Sequence, residues 1–210
     1  HAIDGGKALK DYKTAYMACH QLSSSLALSN SLKALKIAKE GLAIQEKHDR
    51  KNVKNNIYML INVARAIMNN DESKETFPYL DKAKERAYAL GDSIIVSLVY
   101  RHLSSCYNMI NMADSALYFA QKAYEYQSDK EESLELLCAI SYFEADSILQ
   151  AKQSFETIIR KSTTTNIKFV CFRYLSNIES MSGNSTRVAE AQKIAPTYST
   201  ITTNDDGDAY

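Results

Sequence analysis

Apolar residues along this chain recur at helical spacing, and short polar interruptions cut the pattern into segments. In DSALYFAQKAYEY (Asp114 to Tyr126), Ala116, Ala120 and Ala123 fall on one face of a helix, because residues three and four apart stack on the same side. SLKALKIAKEGLAI (Ser31 to Ile44) and ESKETFPYLDKAKE (Glu72 to Glu85) carry the same pattern. Polar pairs precede these segments and others: Asn30–Ser31, Asp71 to Ser73, Asp114–Ser115, Asp146–Ser147 and Asn184–Ser185. Such side chains accept the unpaired N–H bonds of a helix start, so each pair predicts an N-cap. Before each cap runs another helical segment of roughly 12–16 residues, giving helix, turn, helix repeated about five times.

The repeats share a register. Leu103, Ser104 and Tyr107 on a first helix are followed by Ala116 and Ala123 on a second. Val63, Ala64 and Ile67 match that first set, with Thr76 and Ala83 after them; Cys138, Ala139 and Tyr142 are followed by Ala151 and Ile158. Ala34 and Gly41 fit the second helix of an earlier unit. Its first helix fits less well, with Gln21 where the apolar residue belongs and Leu22 one place late. Small residues let the helices of a pair approach closely, while the larger apolar ones fill the groove to the next pair.

This pattern resembles the tetratricopeptide repeat: Leu-small-x-x-Tyr on helix A, then small residues seven apart on helix B. The unit from Tyr100 to Gln127 is the best match; it has Tyr100 for the family's usual Trp and Ser104 for its usual Gly. Units run about 35 to 42 residues against about 34 for the family, and KAKERAYALGD (Lys82 to Asp92) reads as a lengthened helix B closed by Gly91. The resemblance implies an all-α fold, a right-handed α-solenoid of about five antiparallel helix hairpins. Residues 1–195 form a single repeat domain in this reading, with hairpins near 10–50, 54–91, 93–128, 131–162 and 165–195. Residues 196–210 form a polar tail or a linker to a further region.

Composition agrees. The 210 residues hold six Gly and two Pro, too few breakers for a many-stranded β fold. Pro78 is expected in the first turn of a helix B, and Pro196 as a stop. Lys+Arg and Asp+Glu balance at 25 each, so no global field favours nucleic acid or an anionic membrane. The longest apolar runs, such as IIVSLVY (Ile94 to Tyr100), are too short to span a bilayer, and HAIDGG at the start is no signal peptide. Nothing assigns a compartment, whether cytoplasmic or periplasmic.

No phosphate-binding, dinucleotide, nucleophile-elbow or zincin motif occurs, so neither a catalytic site nor a cofactor is expected. Cys19, Cys106, Cys138 and Cys171 are scattered without metal-ligand spacing and read as small buried hydrophobes. His20 and His102 read as ordinary polar helix residues, and His48 as part of a solvated helix end in EKHDRKN. NDDGD (Asn204 to Asp208) lacks the rest of a calcium loop, and NST (Asn184 to Thr186) reads as a cap before a glycosylation site. The basic stretch Lys33 to Lys51 reads as a water-facing helix B.

In tetratricopeptide proteins helix A lines a concave face that grips a peptide. Carried onto this chain, that implies Arg65 and Asn69 from one unit and Arg101, Ser105 and Asn108 from the next as peptide-binding residues. Arg suits bidentate grip of a carboxylate, and Asn bonds a peptide backbone from either end of its amide. The resemblance therefore implies a non-enzymatic protein- or peptide-binding module, and the Arg and Asn chemistry an acidic or C-terminal ligand; no contact with nucleic acid and no membrane insertion is expected of this region. It extends to the repeat regions of bacterial sensory and regulatory proteins. A stand-alone adaptor and a nutrient- or glycan-binding repeat protein stay open beside it, as does a homodimer closing the unpartnered ends.

Overall fold

The structure, a computed structural model, describes residues 2–27, 29–70, 73–127 and 131–181. Among the described residues every regular element is a helix. They run α1 (Ala2–Ala8), α2 (Tyr12–Leu26), α3 (Ser31–His48), α4 (Val53–Met68), α5 (Ser73–Leu90), α6 (Ser93–Met109), α7 (Ala113–Tyr126), α8 (Glu132–Glu144), α9 (Ile148–Lys161) and α10 (Thr165–Met181). The chain divides into two compact units, residues 1–128 and 129–210. The pairs α2/α3, α4/α5 and α6/α7 pack as hairpins in the first unit, and α8/α9 in the second.

The register of small residues is the register of packing. Ala34, Thr76, Ala83, Ala116, Ala123 and Ala151 are all fully buried, as are Val63, Ala64 and Ala139. Gly41 shows why size matters: a Cβ there would lie 2.8 Å from the Cβ of Cys19 on α2. In α2 the buried small residue is Ser23, and Leu22 beside it stays 40% exposed. Tyr100, at the position where the family has Trp, is buried against Phe119 and Tyr126 of α7.

Helix starts divide into two kinds. Asp11, Asn30, Asn52 and Asp92 are side-chain N-caps, accepting from the N–H of Thr14, Lys33, Asn55, and both Ile94 and Ile95. Asp114 and Asp146 are not, which corrects the expectation. Helix α7 starts at Ala113 after Met112, so Asp114 lies in the first turn and favours the helix dipole instead. Asp146 stands at φ 56°, and Asn111 holds the same place at φ 57° before α7. Both end the preceding helix in the left-handed conformation that Asn and Asp tolerate. The next N–H then reaches back to a tyrosine carbonyl, Met112 to Tyr107 and Ser147 to Tyr142, each at 2.9 Å. Gly91, at φ 71°, closes α5 as expected.

Pro78 lies inside α5, beyond its first turn, so the helix forgoes the bond Pro78 would have given to the carbonyl of Lys74. The short α1 docks on α2 through Gly6, where a Cβ would come within 2.9 Å of the backbone of Asp11 and Ala15. In the second unit, Ala139, Ala151, Phe155, Ile158, Cys171 and Ile178 form the core, with Tyr174 stacked on Phe155. Lys152 pairs with the nearly buried Glu179 at 2.5 Å. His1, the expected cap at Asp71, Asn184–Ser185, the NST sequon, NDDGD, Pro196 and the tail lie outside the described residues.

Candidate functional site

In the first unit the A helices form a layer of their own. Helix α4 touches α2 on one side and α6 on the other, whereas α3, α5 and α7 make no such mutual approach among the described residues. Helices α2, α4 and α6 thus meet one another as one layer, whose chemistry is set by their own side chains.

Those three helices contain no Asp or Glu at all, while they carry Lys13, Lys54, Arg65 and Arg101. The B helices hold acids that pair with lysines: Glu40 with Lys7, Glu46 with Lys82, Asp81 with Lys84, and Glu125 with Lys122. Within these six helices the acids are thus confined to the B helices, and Lys54 finds its partner just outside them, in the Asp92 N-cap of α6 at 3.6 Å.

Arg65 is central to this layer. It is half-buried on α4, and its guanidinium makes no hydrogen bond or ion pair among the described residues. At the equivalent repeat position, one residue after the small buried Ala64, the neighbouring helices carry Ser24 and Ser105. Those short side chains leave the long one room. Arg65 also acts on an imidazole from each side, His20 on α2 and His102 on α6. Burial, then Arg65 and the adjacent Arg101, push the His102 imidazole down to about 3, so it is neutral near pH 7. Burial and Arg65 lower His20 in the same direction. Below Arg65 on α4, Asn62 is 3% exposed. Its Oδ1 accepts from Ser24 at 3.5 Å, and its buried Nδ2 has no acceptor.

The other residues expected from the sequence are placed as follows. Arg101 is half-buried and acts with Arg65 on the same imidazole. Ser105 is half-buried, and its hydroxyl is spent on the Arg101 carbonyl at 3.1 Å. Asn108 is half-buried with its Oδ1 buried and unpartnered. Asn69 is exposed at the C-cap of α4, its N–H turned back to the Arg65 and Ile67 carbonyls. Arg65 and Arg101 thus act on one imidazole, and Asn69 stands at the end of its helix. Sequence reasoning took His20 and His102 for ordinary polar helix residues and passed over Asn62, and the available signal was the run of A helices free of acids.

Other features have a packing explanation. Burial pushes the thiols of Cys19 and Cys171 up to about 11 and 12, out of the reactive range. His48 stacks on Tyr12 with centroids 3.5 Å apart. Tyr107 and Phe119 stack on each other, as do Phe155 and Tyr174, so these rings are spent on packing. A cleft of about 420 Å³ between α1 and α2 is lined by Ala2, Ile3, Ala18, Gln21, Leu22 and Ser25, with no charged group. Among the described residues no three His, Cys, Asp or Glu gather as metal ligands, and no helix is long and apolar enough to cross a membrane.

No protein-family profile matches the chain, and no curated protein matches it by sequence. Solved structures do match its fold. BtubC (BKLC) from P. vanneervenii superposes with a TM-score of 0.79 at 10% identity, over 100% of this chain and 91% of that one. Nearly identical TPR-like repeats described as a kinesin light chain from Podosopora anserina give 0.71 at 13%, over 90% and 97%. A signal-transduction ATPase with a tetratricopeptide repeat sensor from Pyrococcus horikoshii gives 0.68 at 15%, over 96% of this chain and 36% of that one. Identities this low speak of the fold alone: it is a TPR-like α-solenoid of helical hairpins.

Proposed function

From that TPR-like frame, we propose that the chain is a non-enzymatic interaction module whose α2/α4/α6 layer binds a protein segment bearing carboxylates, as an acidic stretch or a chain end. The observation that carries this reading is the layer free of acids with an Arg65 guanidinium that no described residue engages. Arg65 and Arg101 supply the charge, and Asn69, Ser105 and Asn108 border the path of the ligand backbone. An arginine fork matches a carboxylate in two parallel bonds, which gives direction as well as affinity. The tetratricopeptide sensor named in the Pyrococcus ATPase supports a sensory or regulatory setting for such a module.

Selection from a random-peptide display library tests the proposal, run in parallel on the wild type and on Arg65→Ala/Arg101→Ala. Enrichment of an acidic or C-terminal motif that the double variant loses is the expected result. Enrichment of neutral sequences, or of a motif indifferent to the two arginines, rejects it.

A further inference from the structure

The open side of α4 carries a ring as well as a guanidinium. From Asn56 to Met68 only Tyr58 and Arg65 escape burial. They stand seven residues apart, which is two turns, on one side of the helix and about 10 Å along its axis. Tyr58 is half-buried and makes no hydrogen bond or ring contact among the described residues. Other tyrosines of the first unit are engaged: Tyr16 with Asp49 and Asn55, Tyr88 with Tyr100, and Tyr107 with Phe119. The flanking helices repeat the pattern. Met17 on α2 and Leu98 on α6 hold the repeat position of Tyr58, six residues before the small buried Ser23, Ala64 and Ser104 of their helices. Met17 is 36% exposed and Leu98 half-buried. Arg101 then follows Leu98 by three residues, one turn on along the same side. An apolar position thus precedes a cationic one on both α4 and α6.

Resting on the carboxylate-binding reading above, we propose that the ligand carries a bulky apolar side chain three positions from its carboxylate, seated on Tyr58 while the carboxylate sits on Arg65. Charge fixes one end of this ligand: α2, α4 and α6 hold no acid, and Arg65 has no ion pair among the described residues. The other end meets Tyr58, with Met17 and Leu98 at the same level of the flanking helices, and none of the three is charged. An aliphatic or aromatic residue suits that row, because leaving water against it supplies affinity while the arginine supplies direction. The spacing follows from backbone geometry. In a polyproline II segment residues three apart share a face and lie about 9 Å apart, close to the span from Tyr58 to Arg65. A strand turns residues three apart to opposite faces, and a layer of helices offers it no edge to pair with.

Three peptides of equal charge test this on the full chain, each labelled with fluorescein through a Gly-Ser linker and read by anisotropy in low salt. They are Leu-Ser-Ser-Glu-Glu, its isomer Leu-Glu-Glu-Ser-Ser, and Ser-Ser-Ser-Glu-Glu, which lacks the apolar residue. The expected result is that Leu-Ser-Ser-Glu-Glu binds at least fivefold tighter than either of the others. That advantage falls to near one in Tyr58→Ser and shrinks in Met17→Ser, an exposed position whose change spares the fold, while Arg65→Ala weakens all three peptides. In the wild type, magnetisation transfer from the leucine methyls of the first peptide to the Tyr58 ring protons places the contact without any variant. Equal binding of the three peptides, an advantage that survives in Tyr58→Ser, or no transfer to the Tyr58 ring overturns the apolar seat. The carboxylate reading then stands on the Arg65 dependence of Ser-Ser-Ser-Glu-Glu. Failure of all three peptides to bind overturns both.

Discussion

Gln45 is a buried polar residue whose removal has a cost that can be worked bond by bond. It is fully buried near the end of α3, where its Nε2 donates to the carbonyls of Asp49 at 2.8 Å and Asn52 at 3.2 Å. Its Oε1 accepts from Nδ2 of Asn56 at 2.5 Å, and Asn56 in turn accepts from Arg86 of α5. One side chain thus ties the α3–α4 turn to two further helices. Gln45→Met keeps the length of the side chain and removes every bond. The two carbonyls keep a backbone partner each, from Asn52 N–H at 3.0 Å and Asn56 N–H at 3.1 Å, so each loses only part of its bonding. That loss is about 0.5–1 kcal/mol apiece. Asn56 is 1% exposed, and its stranded amide donor costs about 1–3 kcal/mol. The total is a destabilisation of roughly 2–5 kcal/mol. Urea unfolding followed by circular dichroism reads it as a lower midpoint at unchanged slope. A loss below about 1 kcal/mol would refute the idea that this network, rather than apolar packing, holds the turn.

Further expectations follow from the same geometry. Gly41→Ala gains about 1 kcal/mol of helix propensity but forces α2 and α3 apart at Cys19, at a cost of about 1–3 kcal/mol. The expected outcome is a lower urea midpoint, and a higher one would contradict the close approach. Phe155→Ala in the second unit removes a fully buried ring stacked on Tyr174 and should cost about 3–5 kcal/mol, read by the same assay. For pH, His102 has a folded value of about 3 against an ordinary 6.5, so the unfolded chain binds a proton that the folded chain refuses between those limits. Stability therefore falls as pH drops below about 6.5, by at most about 1.4 kcal/mol per pH unit and by less for a half-buried ring. His102→Gln should flatten that decline in urea midpoints measured from pH 7.5 to 5, and an unchanged decline would count against it.

Much of the architecture was legible because it rests on residue size and period. Ala116, Ala123, Ala64 and Ala83 are recognisable as small residues on apolar faces, and the structure buries each of them completely. Turn chemistry was harder to read. Asp146 is chemically fit both to cap a helix and to adopt a left-handed turn, and only the backbone decides that it does the second. Gly41 was readable as a small residue of a second helix, yet the reason for its size is Cys19, a residue of another helix. The groove shows the same limit. Arg65 and Arg101 were visible as helix A positions, but His20 lies far away in sequence, and the charge of Arg65 acts on it only because α2 packs on α4. The absence of acids from three separate helices becomes a single property only once those helices form one layer.

The central claim is that the α2/α4/α6 layer binds its partner through Arg65. Titration calorimetry of a display-selected peptide tests it most directly, on the wild type, on Arg65→Ala, and on Lys36→Ala/Lys39→Ala, which removes exposed cations of the B helix α3. The account predicts at least a tenfold loss of affinity in Arg65→Ala, about 1.4 kcal/mol, with the α3 variant within twofold of wild type. Equal losses in both variants, or none in Arg65→Ala, would contradict it.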